Sequence, residues 1–229
     1  MAQDTEALNK KEARKCAEAL TQAAIDKYGK LETRKVRPPV DQLILSIFYR
    51  HTSVRRATRA LRELKRGFVD WNEVRISGLE ETVSHLSSAD WAWESAREIK
   101  EFLDGLFERR NQVRLDFFYD DEMGIPDVRR FLRKLPHVDR EMANEVLMLS
   151  LEKPVFPCSK PIARVCHRLG LLEDDRPTAR NQQRLTRLFN EDFFPVLHRY
   201  LCDFAGRHCL PDVPDCKGCP MEEHCNSAQ

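Results

Sequence analysis

Residues 208–225 read HCLPDVPDCKGCPMEEHC and place four cysteines within 17 residues, separated by spacers of six, two and five residues. Three prolines and one glycine lie between these cysteines, and both residue types disfavour a regular helix and favour turns. The segment therefore predicts a loop whose four thiolates converge on one inorganic group. Its ligands would be Cys209, Cys216, Cys219 and Cys225.

A 4Fe–4S cluster suits this pattern, because each of its irons takes one thiolate and the ligands come from a loop that surrounds the cluster. A tetrahedral zinc ion is the alternative. Structural zinc sites usually combine two close pairs of cysteine or histidine ligands, whereas only Cys216 and Cys219 form such a pair here. We therefore predict a 4Fe–4S cluster, with zinc as the second possibility.

The composition is that of an ordinary globular protein, with 229 residues, 41% hydrophobic and 33% charged. The chain has no run of 18 apolar residues, and its charged start lacks the apolar region of a secretory signal. We expect no membrane span and a cytoplasmic protein, associated with the nucleoid if it is bacterial. In a reducing compartment the remaining cysteines are expected to be partly buried thiols: Cys16, Cys158, Cys166 and Cys202.

Positive charge is segregated although the formal net charge is only +1. Seven lysines and arginines lie between Arg50 and Arg66, against the single acid Glu63. A second basic set runs from Lys160 to Arg187. Such segregation can create a local basic face for nucleic acid, and a solvated helix face is the alternative.

Apolar residues recur at helical spacing through most of the chain, and the alternation typical of strands is almost absent. This pattern predicts an all-α fold. Proline-containing breaks lie at Pro38-Pro39, where a helix start is expected, and between Pro154 and Pro157. They indicate two helical domains: one of residues 38–153, and one formed by residues 1–37 together with 154–229.

Residues 131–149, FLRKLPHVDREMANEVLML, predict a short helix, a tight turn and a second helix. Together with the cysteine loop, this hairpin resembles the endonuclease III branch of the helix-hairpin-helix (HhH-GPD) DNA glycosylase superfamily. The resemblance extends from about Pro39 to Cys225 and includes the cysteine spacing at every position. The stretch from Ala163 to Leu169 is also similar to the helix that follows the family's catalytic acid.

The resemblance implies a monomer with two α-helical domains and a DNA groove between them. One is a helical barrel domain with the helix-hairpin-helix at about residues 127–150, and the other carries the iron–sulfur loop at residues 209–225. Family members flip one nucleotide out of the duplex and cleave its N-glycosidic bond. In bifunctional members a lysine is the nucleophile, and an aspartate assists it.

The chain departs from the family at both catalytic positions. Glu141 stands at the position of the lysine and is expected to be an anion that cannot form an imine, and Ser159 stands at the position of the aspartate. Asp139 and Lys160 are weaker catalytic candidates. The alternatives are that Asp139 caps the following helix and that Lys160 meets phosphate or solvent.

The expected DNA-contacting positions differ from the family as well. His137 and Asp139 replace the two hairpin glycines that let the backbone approach a phosphate. Arg50 replaces the glutamine that fills the gap left by a flipped base, and Trp91 stands at the wedge position, with a core aromatic as its alternative. The predicted DNA-binding residues are Arg50, His51, Trp91, His137, Val138, Arg140, Lys160 and Arg164.

These features lead to three hypotheses. The first is an endonuclease III-like protein of DNA repair or recombination that has lost glycosylase and lyase chemistry and recognises branched, bent, unpaired or abasic DNA. The second is an active DNA N-glycosylase of base excision repair with relocated catalytic residues. The third is an interaction protein in which the cluster is structural and DNA binding has been lost.

Overall fold

Helices account for all of the regular structure in the residues that the computed structural model describes, which are 9–29, 36–86, 90–120 and 123–228. The predicted all-α fold is therefore confirmed for these residues. Residues 1–8 and 30–35 of the predicted terminal domain lie outside them. None of the described helices combines the length and apolar content that crossing a membrane requires.

The chain divides into two compact units, one of residues 36–153 and one formed by the segments on either side of it. The first unit contains seven α-helices among its described residues. These are α2 (Pro39–His51), α3 (Val54–Gly67), α4 (Trp71–Ile76), α5 (Leu79–Ser84), α6 (Asp90–Arg110), α7 (Ile125–Leu132) and α8 (Arg140–Leu149).

The core of this unit forms around α2, which begins at Pro39, the predicted break. Proline suits the first helical position because its missing N–H would have no partner there. Residues 39–48 of α2 are buried continuously, and α3, α6 and α8 pack against this helix. Burial on all sides explains why the apolar residues of α2 are not confined to one stripe, and the polar Asp41, Gln42 and Ser46 are buried among them.

The second unit combines α1 (Lys10–Tyr28) with α9 (Lys160–Arg168), α10 (Ala179–Leu188) and α11 (Phe194–Arg207). Asn9 and Glu12 form a reciprocal capping box at the start of α1. The α11 helix packs against both α1 and α9, and its apolar face carries Leu197, Leu201 and Phe204. The cysteine-rich segment follows α11 and is mostly irregular, with a short 3₁₀ turn at Glu222–His224.

Candidate functional site

The hairpin consists of α7, a tight turn and α8, and these two helices pack against each other. In the turn, the backbone N–H of Leu135 donates to Leu132 (3.0 Å) and that of Val138 donates to Leu135 (3.3 Å). Val138, a predicted DNA-binding residue, is only 7% exposed. Its side chain is thus a core contact of the turn and has little surface to offer a ligand.

His137 has a backbone φ of 59°, in the left-handed region that glycine adopts at low cost. Its side chain lies between two carboxylates of α6. The Nε2 atom is 2.5 Å from Glu101 Oε2, and Nδ1 is 3.8 Å from Glu98 Oε1. The histidine that replaces a family glycine is therefore held by acids of the same unit.

Two further predicted DNA-binding residues, Arg50 and His51, meet this group at the end of α2. The Arg50 guanidinium donates to the backbone carbonyl of His137 and lies 3.9 Å from Glu98 Oε2. The Nε2 atom of His51 is 3.1 Å from the same Glu98 oxygen. The structure thus brings Arg50, His51 and His137 together around Glu98.

Glu98 and Glu101 are functional candidates that sequence reasoning missed. Both are ordinary acids in the polar positions of an amphipathic helix, and no local motif singles them out. Their partners in the hairpin site lie 36 to 48 residues away along the chain. Only the packing of α6 against α2 makes them part of the hairpin site.

The start of α8 is shaped by two acids. The Asp139 carboxylate accepts a hydrogen bond from the Met142 N–H at 2.9 Å, so this residue caps the helix, as its alternative interpretation proposed. Glu141 is partly buried, and burial, followed by the charges of Asp139 and Glu145, raises its pKa to about 8. Burial therefore shifts this carboxyl group toward its protonated form near neutral pH, in contrast to the expected anion.

One turn beyond Glu141, Glu145 meets α2. Its Oε2 lies 2.7 Å from Ser46 Oγ, which also donates to the backbone carbonyl of Gln42 at 2.9 Å. The Ser46 hydroxyl is the donor in both contacts. Burial, the largest cause, raises the pKa of the Glu145 carboxyl group, whereas its hydrogen bond from Ser46 lowers it.

The two tryptophans of α6 lie on different faces of the helix. Trp91 is partly buried, and its ring meets Phe48 edge-on, with the ring centroids 6.1 Å apart. It also packs against the small cluster of Val83 and Ala92. Trp93 is 44% exposed. The contacts of Trp91 are therefore those of a packed aromatic residue, which was the alternative to a DNA wedge. Trp93 is the more accessible of the two rings.

Ser159, which the resemblance aligns with the family's aspartate, lies at the start of α9. The Ser159 hydroxyl accepts a hydrogen bond from the Ile162 N–H at 3.3 Å, so it caps this helix. Lys160 is exposed beside it, whereas Cys158 is buried. In the other unit, Arg140 opens α8 and is half-buried.

Arg164 and Arg168 face the cysteine loop from α9. Arg164 donates to the carbonyls of Cys209 (3.0 Å) and Ala205 (3.2 Å). Arg168 donates to Leu210 and Pro211 at 2.6 and 2.7 Å, and its Nη1 lies 3.4 Å from Cys209 Sγ. Arg164, predicted to bind DNA, thus directs its donors into its own unit.

The four loop thiols are neighbours. Burial, the largest cause, raises the pKa of Cys219, and Cys225, Cys216 and Cys209 raise it further. The Cys225 thiol donates to the Arg168 carbonyl at 3.5 Å. Within the described part of the chain, no three His, Cys, Asp or Glu side chains are grouped so as to hold a metal ion. The four thiols of this loop are nevertheless the soft donor type that an iron–sulfur cluster takes.

The remaining cysteines differ from one another in exposure. Cys16, Cys158 and Cys166 are buried. Cys202 is exposed, so its predicted partial burial is wrong, because it lies on the outer face of α11. No disulfide joins any of the eight cysteines, all of which the structure describes.

Comparison with known sequences finds similarity to endonuclease III. The endonuclease III of Thermotoga maritima is 32% identical over 101 residues, which cover 44% of this chain and 47% of the relative. That of Bacillus subtilis is 30% identical over 105 residues, which cover 46% and 48%. The chain thus spans about half the length of these curated relatives. Rice Protein ROS1A is 24% identical over 204 residues, 81% of this chain but 10% of that protein.

Solved structures show the same fold over nearly the whole chain. An endonuclease III–DNA covalent intermediate aligns with a TM-score of 0.73 at 22% identity, covering 96% of this chain and 97% of the other. A thermostable thymine-DNA glycosylase aligns with a TM-score of 0.72 at 17% identity, covering 95% and 97%. No protein-family model matches the chain.

Proposed function

We propose that this chain is a member of the endonuclease III branch of the helix-hairpin-helix superfamily that binds DNA without the family's lysine and aspartate chemistry. One observation carries this proposal: both catalytic positions hold side chains unsuited to that chemistry. Glu141 has no amine with which to form an imine with a sugar. Ser159 caps α9 with its hydroxyl and carries no negative charge to assist the reaction.

The hairpin site is the proposed DNA contact of the first unit. Arg50 is exposed, and a guanidinium is a bidentate donor for phosphate. His51 and His137 lie beside it around Glu98. This cluster places basic side chains next to carboxylates. We therefore expect it to accept the phosphates of only some DNA backbone geometries, and not to attract every phosphate equally. We therefore assign it recognition of DNA shape, as in branched, bent or abasic DNA.

We also propose that Cys209, Cys216, Cys219 and Cys225 hold a 4Fe–4S cluster. When bound, the cluster would cross-link an irregular segment that has little apolar core of its own. The guanidinium of Arg168 would orient the loop by holding two successive carbonyls. A purified protein that is brown, with broad absorbance near about 400 nm, would support the cluster. A colourless protein that contains zinc would refute the cluster and support the zinc site.

A second candidate function is an active DNA N-glycosylase with relocated catalytic residues. The protonated Glu141 favours it, because a carboxyl group that keeps its proton near pH 7 can act as a general acid. Lys160 is exposed and offers an amine for the same chemistry. Base release or nicking that disappears in Glu141→Gln or Lys160→Ala would establish this function in place of the first.

The decisive experiment incubates the protein with intact, lesion-containing, abasic and four-way-junction duplexes, and measures retention, base release and nicking. We expect salt-sensitive retention without cleavage, because phosphate contacts release counterions. The absence of salt-sensitive binding to any of these DNAs would leave only the interaction-protein hypothesis.

A matched double variant tests whether the scaffold still supports the lost chemistry. Glu141→Lys with Ser159→Asp restores the family's pair, and aspartate keeps the cap of α9. We expect the variant, unlike the parent, to form a borohydride-trapped adduct with abasic duplex. The single variant Ser159→Asp is the control and should form none. Adduct formation by the parent would contradict the proposal.

A further inference from the structure

The α3 helix carries six basic side chains and one acid, and its basic residues are arranged in a row. The buried face consists of Ala57, Ala60, Leu61 and Leu64. At about 100° per residue, Arg55, Arg59, Arg62 and Arg66 lie within a sector of about 60° centred opposite that face. All four are exposed. The row therefore points away from the core along the whole helix.

Most of the row has no internal partner. Among the described residues, the structure gives no hydrogen bond or ion pair to the side chains of Arg55, Arg59 and Arg62, and Arg66 has only Glu63 at 3.5 Å. Some exposed arginines elsewhere lie beside an acid, as Arg130 does beside Asp127 at 2.8 Å. The α3 row thus combines adjacent guanidinium groups with almost no compensating charge.

Folding does not account for this arrangement. Arginines at i and i+4, such as Arg55 with Arg59 and Arg62 with Arg66, repel each other on a helix. The first turn has no acid and carries Arg55 and Arg56, although the positive end of the helix dipole disfavours cations there. The row weakens the isolated helix and gains almost no internal ion pair in return, so the stability of the fold does not explain it.

The chemistry of the row fits one class of partner. The four arginines span about 16 Å, the rise of 11 residues, and one DNA strand presents about five phosphates over that length. Guanidinium groups bind phosphate oxygens in a bidentate manner. The row contains no aromatic or aliphatic anchor, which a protein interface or a membrane surface would use. A nucleic-acid backbone meets all these conditions.

We propose that the α3 row (Arg55, Arg59, Arg62 and Arg66) is a second phosphate-binding surface that holds a nucleic-acid backbone in addition to the hairpin site. It contributes affinity that does not depend on the nucleotide sequence, because all four guanidinium groups bind phosphate. This inference rests on the proposed DNA binding and adds a surface that the hairpin site does not include.

The test measures binding of an undamaged 30-base-pair duplex by fluorescence anisotropy from about 50 to 300 mM KCl. Arg59→Gln with Arg62→Gln removes the two central charges, and glutamine preserves the helix. Two lost phosphate contacts should reduce the slope of log affinity against log salt by about two. We expect binding at 150 mM KCl to weaken about tenfold or more.

The matched control is Arg109→Gln with Arg114→Gln, which removes the same charge from exposed positions of the same unit outside the hairpin. Its slope should equal that of the parent. If both variants lose the same affinity for the duplex, the change in net charge alone explains the effect and the α3 surface is refuted. An unchanged salt dependence in the α3 variant would refute it as well. Selective loss of binding to phosphatidylserine vesicles, with duplex binding intact, would replace nucleic acid by a membrane. Failure of the parent to bind any duplex would instead refute the proposed function.

Discussion

The Glu141 carboxyl group illustrates how one residue's environment overrides its usual chemistry. A glutamate in the first turn of a helix is normally an anion favoured by the helix dipole. Here burial, together with the charges of Asp139 and Glu145, outweighs the dipole and raises its pKa to about 8. The first turn of α8 thus holds a carboxyl group that is shifted toward its neutral, hydrogen-bond-donating form near pH 7.

This pKa predicts how stability depends on pH. Between about 4.5 and 8, the unfolded chain loses a proton that folded Glu141 retains, so the free energy of unfolding falls as pH rises through this range. Glu141→Gln mimics the protonated form. Its free energy of unfolding should exceed that of the parent by about 1 to 3 kcal/mol at pH 8 and should be close to that of the parent at pH 4. Urea unfolding at several pH values measures both.

The control for this prediction is Glu108→Gln, the same substitution at an exposed position of the same unit. Glu145 remains in both proteins and contributes a residual slope of the same sign, because burial raises its pKa too. A parallel pH profile for the parent and Glu141→Gln would show that Glu141 ionises normally in the folded protein.

At the scale of the element, α9 shows how a basic helix can serve its own unit. Its positive side chains predict a nucleic-acid face, yet Arg164 and Arg168 donate to carbonyls of the segment after α11. An irregular loop has many carbonyls without helical or strand partners. The two guanidinium groups donate hydrogen bonds to several of these carbonyls, so part of the positive charge of α9 stabilises its own unit.

The contacts of Arg168 predict a specific sensitivity of the cysteine loop. Arg168→Ala removes two charge-assisted hydrogen bonds and should lower the free energy of unfolding by about 1 to 2 kcal/mol. Arg168→Lys should recover less than half, because one ammonium group cannot replace the guanidinium fork on Leu210 and Pro211. Chemical denaturation measures the loss, and faster amide exchange in residues 209–213 locates it.

Arg187→Ala serves as the comparison, since Arg187 is exposed on α10 of the same unit. It should leave both stability and loop exchange unchanged. A loss of stability in Arg168→Ala without faster exchange in the loop would assign the residue a role outside the cysteine segment.

At the scale of the whole molecule, the chain builds two units with separate cores. In residues 36–153 the core surrounds α2, and in the flanking segments it lies among α1, α9 and α11. The cysteine loop belongs entirely to the second unit. Its stability is therefore linked first to that unit.

Removal of the proposed cluster should consequently act locally. After oxidation and iron chelation, we expect amide exchange in residues 209–225 to accelerate at least about tenfold, as local opening becomes easier. Exchange in residues 39–51, the buried α2 helix, should stay within a factor of about two. Hydrogen exchange with mass spectrometry on treated and untreated protein measures both. Equal acceleration in both segments would show that the cluster supports the entire chain.

The amino-acid sequence by itself determined the features that depend on neighbours along the chain. These are the all-α fold, the helix start at Pro39, the cap at Asp139 among its alternatives, and the four cysteines of one short loop. Helical periodicity, proline geometry and capping act over a few residues, so local patterns report them.

Only the tertiary structure decided what depends on distant partners. It grouped Arg50, His51 and His137 around Glu98, buried Glu141 enough to keep its proton, and turned Arg164 toward the cysteine loop. Each outcome depends on which helix packs beside which, and the same side chains would be ordinary solvated charges without that packing. Desolvation and ion pairing are properties of position in space, and a sequence pattern does not contain them.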